Sequence, residues 1–251
     1  MNATVVLTPP MSKRLIAAGV AQLPSVRHAL SNGRVLVTLG TTNAAVAETL
    51  LGKGIDREGF AAGFIDDRWN VNSRVGEVAE VYLVHGSPVE ASPDEILNTL
   101  AASDVLVKGG NALDPWGVVG VLLASASGGT VGRYVPTALA RGVEIVIPIS
   151  LSKATHESIT DLAACMGIGR TKHKMGLACG IYPLHGHVVT ELEALSILYD
   201  IEASHVASGG LGCGAGSVSL LLRGDAAAVG QAFSFIESLG EAADVSLRGR
   251  A

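Results

Sequence analysis

Short runs of aliphatic and β-branched residues recur along the first 150 positions: Arg34–Leu39 (RVLVTL), Phe60–Ile65, Glu80–Val84, Asp104–Val107 and Glu144–Ile149 (EIVIPI). They are apolar at successive positions rather than alternating. Both faces must then be buried, as in a parallel sheet covered by helices. Between the runs, apolar positions fall at helical spacing. Leu15, Ile16, Val20, Leu23 and Val26 mark a helix over Ser12–Leu30, and further helices are predicted over Asn43–Leu51 and Pro93–Ala102. Ser92 is placed as an N-cap, with Pro93 at the first helical position and Glu95 completing a capping box. The alternation predicts an α/β domain over residues 1–152, an open, mostly parallel sheet with right-handed crossovers.

After Ser150 the rhythm changes. Residues 153–171 read as a connection: a helix over His156–Met166 capped by Thr155, ended by Gly167 and Gly169, then a basic loop, Arg170–Lys174. Residues 172–251 read strand (Leu177–Tyr182), helix (Glu191–Tyr199), strand (Glu202–Ala207), strand (Ser217–Leu222), helix (Ala226–Leu239) and strand (Ala243–Leu247). That order, βαββαβ, predicts a smaller α+β, ferredoxin-like domain.

Composition narrows the function classes. The chain has 251 residues, 48% hydrophobic and only 16% charged, so it has ample apolar surface to offset the entropy of ordering. Aromatic residues make up 4%, too few for a base-stacking surface, and the net charge of −5 opposes a broad phosphate-backbone footprint. No nucleic-acid partner is expected. A mean hydropathy of +0.41 raises the question of a membrane. Yet the longest uncharged stretches, Pro115–Gly132 and Ala203–Leu222, are each broken by five glycines, so neither makes a span. The N-terminal residues lack a basic region followed by an apolar one, and Cys165, Cys179 and Cys213 are odd in number and far apart. Both features point to a cytoplasmic protein with reduced thiols. High apolar content with few charges also points to surface buried between subunits, hence a homo-oligomer.

Three glycine-rich segments carry candidate chemistry. In the first, a strand runs into Gly40-Thr41-Thr42-Asn43 and then into a helix. The N–H groups of a helix start favour phosphate or carboxylate, the threonines add hydroxyl donors, and Asn43 is the expected N-cap. In the second, Lys108 ends a buried strand and is followed by Gly109, Gly110 and Asn111, with Asp114 the nearest carboxylate. A lysine there neutralises an anionic substrate or, desolvated, transfers a proton. In the third, Gly128, Gly129 and Thr130 precede a helix over Gly132–Ala140 and offer a second anion cradle beside Arg133. All three belong to the strand-end edge where open α/β sheets bind ligands. Cys179, His185 and His187 bring sulfur and imidazole near one another without the spacing of a zinc site, so no metal is expected. The glycine run Gly209–Gly216 joins two strands instead of opening a helix, which excludes a nicotinamide fingerprint.

The Gly40-Thr41-Thr42 turn resembles the GTGST turn of ribose-5-phosphate isomerases. The segment Lys108–Leu113 (KGGNAL) is similar to their KGGGGAL segment. The resemblance extends to the wider superfamily with glucosamine-6-phosphate deaminases and CoA-transferases. It implies that Gly40, Thr41 and Thr42 hold an anion while Lys108 faces the reacting carbonyl. Those enzymes carry an acidic motif before the lysine and Arg-Glu after the leucine. Here the acidic motif has no counterpart and Asp114-Pro115 follows the leucine, so Asp114 is the carboxylate offered as the catalytic partner of Lys108. A second stretch, Ser217–Val229 (SVSLLLRGDAAAV), resembles the strand-RGD-helix segment of bacterial microcompartment shell proteins, whose βαββαβ domains form cyclic oligomers. The leading expectation is therefore a binder of a small phosphorylated or carboxylate metabolite, isomerase-like and without a cofactor. The alternative is a non-enzymatic sensing or scaffold protein with a C-terminal oligomerisation domain.

Overall fold

The computed structural model describes residues 1–65, 70–71 and 78–247. The chain opens with β1 (Asn2–Leu7), α1 (Pro9–Gln22), α2 (Pro24–Asn32), β2 (Arg34–Val37) and α3 (Thr41–Leu51). A short pair follows, β3 (Phe64–Ile65) and β4 (Asn70–Val71), then β5 (Val81–Val84), β6 (Ser87–Val89) and α4 (Pro93–Thr99). Next come β7 (Val105–Val107), β8 (Ala112–Leu113), β9 (Val119–Leu123), α5 (Gly129–Ala140) and β10 (Glu144–Pro148). A 3-10 turn, Leu151–Lys153, leads into α6 (Ile159–Cys165), β11 (Gly180–Leu184), β12 (His187–Val189) and α7 (Glu191–Tyr199). The last elements are β13 (Glu202–Gly209), β14 (Ser217–Arg223) and α8 (Ala226–Leu247).

The central sheet has the order β12-β10-β7-β2-β5-β6. Its first four strands are parallel, and β5 and β6 add an antiparallel edge. All of β7 and nearly all of β2 and β10 are buried, as two-sided apolar runs require. The expected helix over Ser12–Leu30 is two helices, because Pro24 holds Leu23 in extended backbone (φ −57°, ψ 134°) and so breaks the helix there. The Ser92–Glu95 capping box forms, the Ser92 N–H donating to Glu95 Oε2 at 2.7 Å and the Glu95 N–H to Ser92 Oγ at 3.3 Å. The next cap is Ser158 rather than Thr155: its hydroxyl accepts from Asp161 N at 3.2 Å, so α6 starts later than expected.

The second half differs from a separate βαββαβ sheet. β13 and β14 do pair, but their third strand is the N-terminal β1, which runs antiparallel to β14 from Asn2↔Arg223 to Leu7↔Val218. Val5 and Leu7 face the core and explain the attachment. The strand expected near Leu177 is β11, and it pairs with β9 in a small sheet beside β8. The strand expected at Ala243–Leu247 is instead the end of α8; Glu241-Ala242-Ala243 are good helix formers, and no glycine or proline lies between them and Leu247. α1 packs between α3 and α7. At its closest approach a Cβ on Gly19 would lie 2.7 Å from the Ala194 Cβ. One connected apolar cluster runs from Val5 to Leu239. Among the described residues, no helix is long and apolar enough to cross a membrane.

Candidate functional site

Three parallel strands, β2, β7 and β10, end at the same edge of the sheet, and each is followed by a segment that lines one cleft of about 880 Å³. That size suits a small metabolite. After β2 the chain passes through Gly40 at φ 149° and ψ 151°, a conformation open essentially only to glycine. The Gly40 N–H is bound to Phe60 O at 2.9 Å, and α3 begins at Thr41. The N–H groups of Thr41, Thr42 and Asn43 belong to the first turn of α3, where no intrahelical acceptor exists. Gly40 is the N-cap; Asn43, expected there, sits one turn in and is fully buried. Its Nδ2 donates to Thr38 O at 2.8 Å and to Thr38 Oγ1 at 3.1 Å, fixing the helix start against the end of β2. Two buried atoms at this helix start have no hydrogen-bond partner, Thr42 Oγ1 and Asn43 Oδ1.

After β7 comes Lys108, 6% exposed, its ammonium donating to the carbonyl of Gly109 at 2.9 Å. Glycine is needed in the next two positions. A Cβ on Gly110 would lie 2.1 Å from Val119 Cγ1, and one on Gly109 would lie 3.1 Å from Asn43 Oδ1. Asn111 is a clamp: its Nδ2 donates to Gly63 O at 2.6 Å while its Oδ1 accepts from Leu122 N at 3.0 Å. After β10 comes the turn Leu151–Lys153. Lys153 reaches back to the carbonyl of Gly110 at 2.7 Å. Consecutive carbonyls of the glycine pair thus hold the two ammonium groups. The turn itself is set by the buried carboxylate of Glu191 on α7, which accepts from Ser150 Oγ at 2.6 Å and Leu151 N at 2.9 Å. A third lysine, Lys13, enters from α1.

α5 supplies another helix start to the same cleft. It begins at Gly129, three residues before the expected Gly132, after Gly128 in the left-handed region (φ 77°). Gly128, Gly129 and Thr130 all line the cleft. Arg133 points elsewhere, with its guanidinium 3.7 Å from Glu80.

Eleven expected ligand or catalytic residues therefore meet in one cavity: Gly40, Thr41, Thr42, Asn43, Lys108, Gly109, Gly110, Asn111, Gly128, Gly129 and Thr130. Asp114 does not join them. Its carboxylate accepts from the N–H groups of Trp116 (3.0 Å), Val118 (2.8 Å) and Ile159 (3.2 Å), closing the β8–β9 turn and tying it to α6. Lys13 and Lys153 escaped the sequence reading. Neither adjoins a glycine turn, and the one available signal was that Lys153 follows the apolar run EIVIPI.

The electrostatics are one-sided. Burial and the neighbouring Lys153 charge bring Lys108 down to about 8. Burial and Lys13 bring Lys153 to about 8 as well. Lys13 is lowered by burial and then by Arg57, whose own guanidinium pairs with Glu48. Among the described residues none of the three lysines has a carboxylate partner, and Glu58 is the one carboxylate lining the cleft. Elsewhere, His187 Nδ1 lies 3.1 Å from Glu144 Oε1, Cys179 is buried, and no group of metal-ligating side chains is present among the described residues.

Compared with protein-family models, with curated proteins and with solved structures, the chain matches none.

Proposed function

We propose that this protein binds a small phosphorylated or carboxylate metabolite in the cleft at the carboxyl ends of β2, β7 and β10. Three lysines in one metabolite-sized cavity, without a carboxylate partner among the described residues, are the observation that carries the reading. Buried cations are costly alone and are retained where an anion offsets them. The first turn of α3 adds oriented N–H groups, fixed donors suited to phosphate oxygens. Lys108 faces the reacting end of the ligand. An amine brought down to about 8 exchanges protons near neutral pH, which suits the isomerase-like chemistry that the Gly40 and Lys108 motifs suggest.

A thermal-shift screen of sugar phosphates and phosphorylated carboxylic acids tests the binding. A ligand at 100 times its dissociation constant stabilises by about 2.7 kcal/mol. Lys108→Ala is expected to weaken the ligand found by about ten- to a hundredfold, one charge-assisted hydrogen bond. Unchanged affinity in that variant removes Lys108 from the site. A second reading, a sensor without turnover, is favoured by the engagement of Asp114 in three backbone hydrogen bonds. Incubation of the ligand in deuterated water separates the two. Enzyme-dependent exchange at the carbon beside the carbonyl supports the isomerase-like reading, and binding without exchange supports the sensor.

A further inference from the structure

The three lysines are arranged in series. Lys108 adjoins the start of α3, because Gly109 packs against the Asn43 side chain at its first turn. Lys153 comes next, held on the carbonyl of Gly110 one residue along. Lys13, on α1, lines the same cleft, and its charge acts on Lys153 as that of Lys153 acts on Lys108. One compact anion at the α3 turn reaches the first cation of this row. Among the described residues the one carboxylate that lines the cleft is that of Glu58, which is exposed and has a partner of its own. A phosphate monoester carries at most about two negative charges. Three lysines held in one cavity call for a third.

We propose that the ligand carries two anionic groups, of the diphosphate or bisphosphate class: the first sits at the Thr41–Thr42 turn beside Lys108, the second between Lys153 and Lys13. This rests on the anion-binding reading above and names its ligand class. The first position is marked by the N–H groups of the first turn of α3 and by Lys108, all at the cleft lining. The second is marked by Lys153, whose ammonium has a backbone carbonyl as its one partner among the described residues, and by Lys13. Glu191 acts as a positioning residue for the second group, because it holds the turn that carries Lys153.

Isothermal titration with inorganic orthophosphate and inorganic pyrophosphate tests this, at pH 7, fixed ionic strength and with divalent metals chelated. Pyrophosphate is expected to bind at least about tenfold tighter than orthophosphate, the gain of one further charge-assisted contact. Lys153→Gln and Lys13→Gln should each shrink that advantage to about threefold or less, while orthophosphate binding changes little. Thermal melting of both variants is expected to match or exceed that of the parent chain, since each removes a desolvated charge, so loss of folding would be visible. Equal affinities for the two anions, or an advantage that survives both substitutions, overturn the two-anion proposal and leave single-anion binding standing. Failure of both anions to bind at about 10 mM overturns the anion site itself, and this proposal with it.

Discussion

Raising the pH from 7 to 9 should release an anion from the cleft, even though phosphate itself becomes no less charged. Lys108 and Lys153 both titrate at about 8. By mass action each is about 90% protonated at pH 7 and about 10% at pH 9. A ligand that needs both ammonium groups therefore loses about a hundredfold in affinity across this range, or about tenfold if only Lys108 is required. The ligand-free protein should respond with the opposite sign. Its folded lysines give up protons near pH 8, while the unfolded chain keeps them to about 10.4. The unfolded state then binds more protons within that window, so stability rises with pH between the two values. Orthophosphate titrations at pH 7, 8 and 9, in buffers of different ionisation enthalpy, measure both the affinity and the protons taken up. Uptake of about 0.8 proton per site near pH 8.5 is expected, from Lys108, which orthophosphate engages. Affinity that is flat or rises with pH would refute the assignment of Lys108 and the half-buried Lys153 to the anion site as titrating groups.

Three substitutions probe the supporting structure. Lys108→Met should raise thermal stability while weakening anion binding about ten- to a hundredfold, because it trades a desolvated ammonium for an apolar chain of similar length; differential scanning calorimetry with and without phosphate reads both effects. Gly110→Ala places a methyl 2.1 Å from Val119 Cγ1, and chemical denaturation should show about 1–3 kcal/mol of destabilisation with weaker anion binding. Glu191→Ala leaves Ser150 Oγ and Leu151 N without their acceptor, with an expected loss of about 1–3 kcal/mol and a larger fractional loss of affinity for pyrophosphate than for orthophosphate.

The parts of the site that the sequence revealed are those set by short-range physics. Val35–Val37, Val105–Val107 and Glu144–Pro148 read as buried strands because they are apolar on both faces, and Gly40 and the Gly109-Gly110 pair announce bends. Lys108 stood out because it interrupts such a run. Lys13 did not, since in Ser12-Lys13-Arg14 it reads as the solvated side of a helix; only the packing of α1 against α3 turns it into the cleft. Lys153 depends on Glu191, 38 positions later, to hold its turn. Asp114 had the right type and neighbourhood for a catalytic carboxylate, yet three backbone N–H groups of a tight turn consume it, a demand that side-chain pattern does not display. The pairing of β1 with β14 joins residues more than 200 positions apart, so the hydrophobic rhythm of either strand alone could not choose its partner.

The most direct test of the anion site is a crystal of the protein soaked in tungstate, a phosphate-shaped anion with strong anomalous scattering. An anomalous peak marking the tungsten is expected at the start of α3, about 4 Å from the nitrogens of Thr41, Thr42 and the Lys108 ammonium, so that the tungstate oxygens accept from them at about 3 Å. A cleft without anomalous signal, in a crystal where tungstate is ordered elsewhere on the protein, would contradict it.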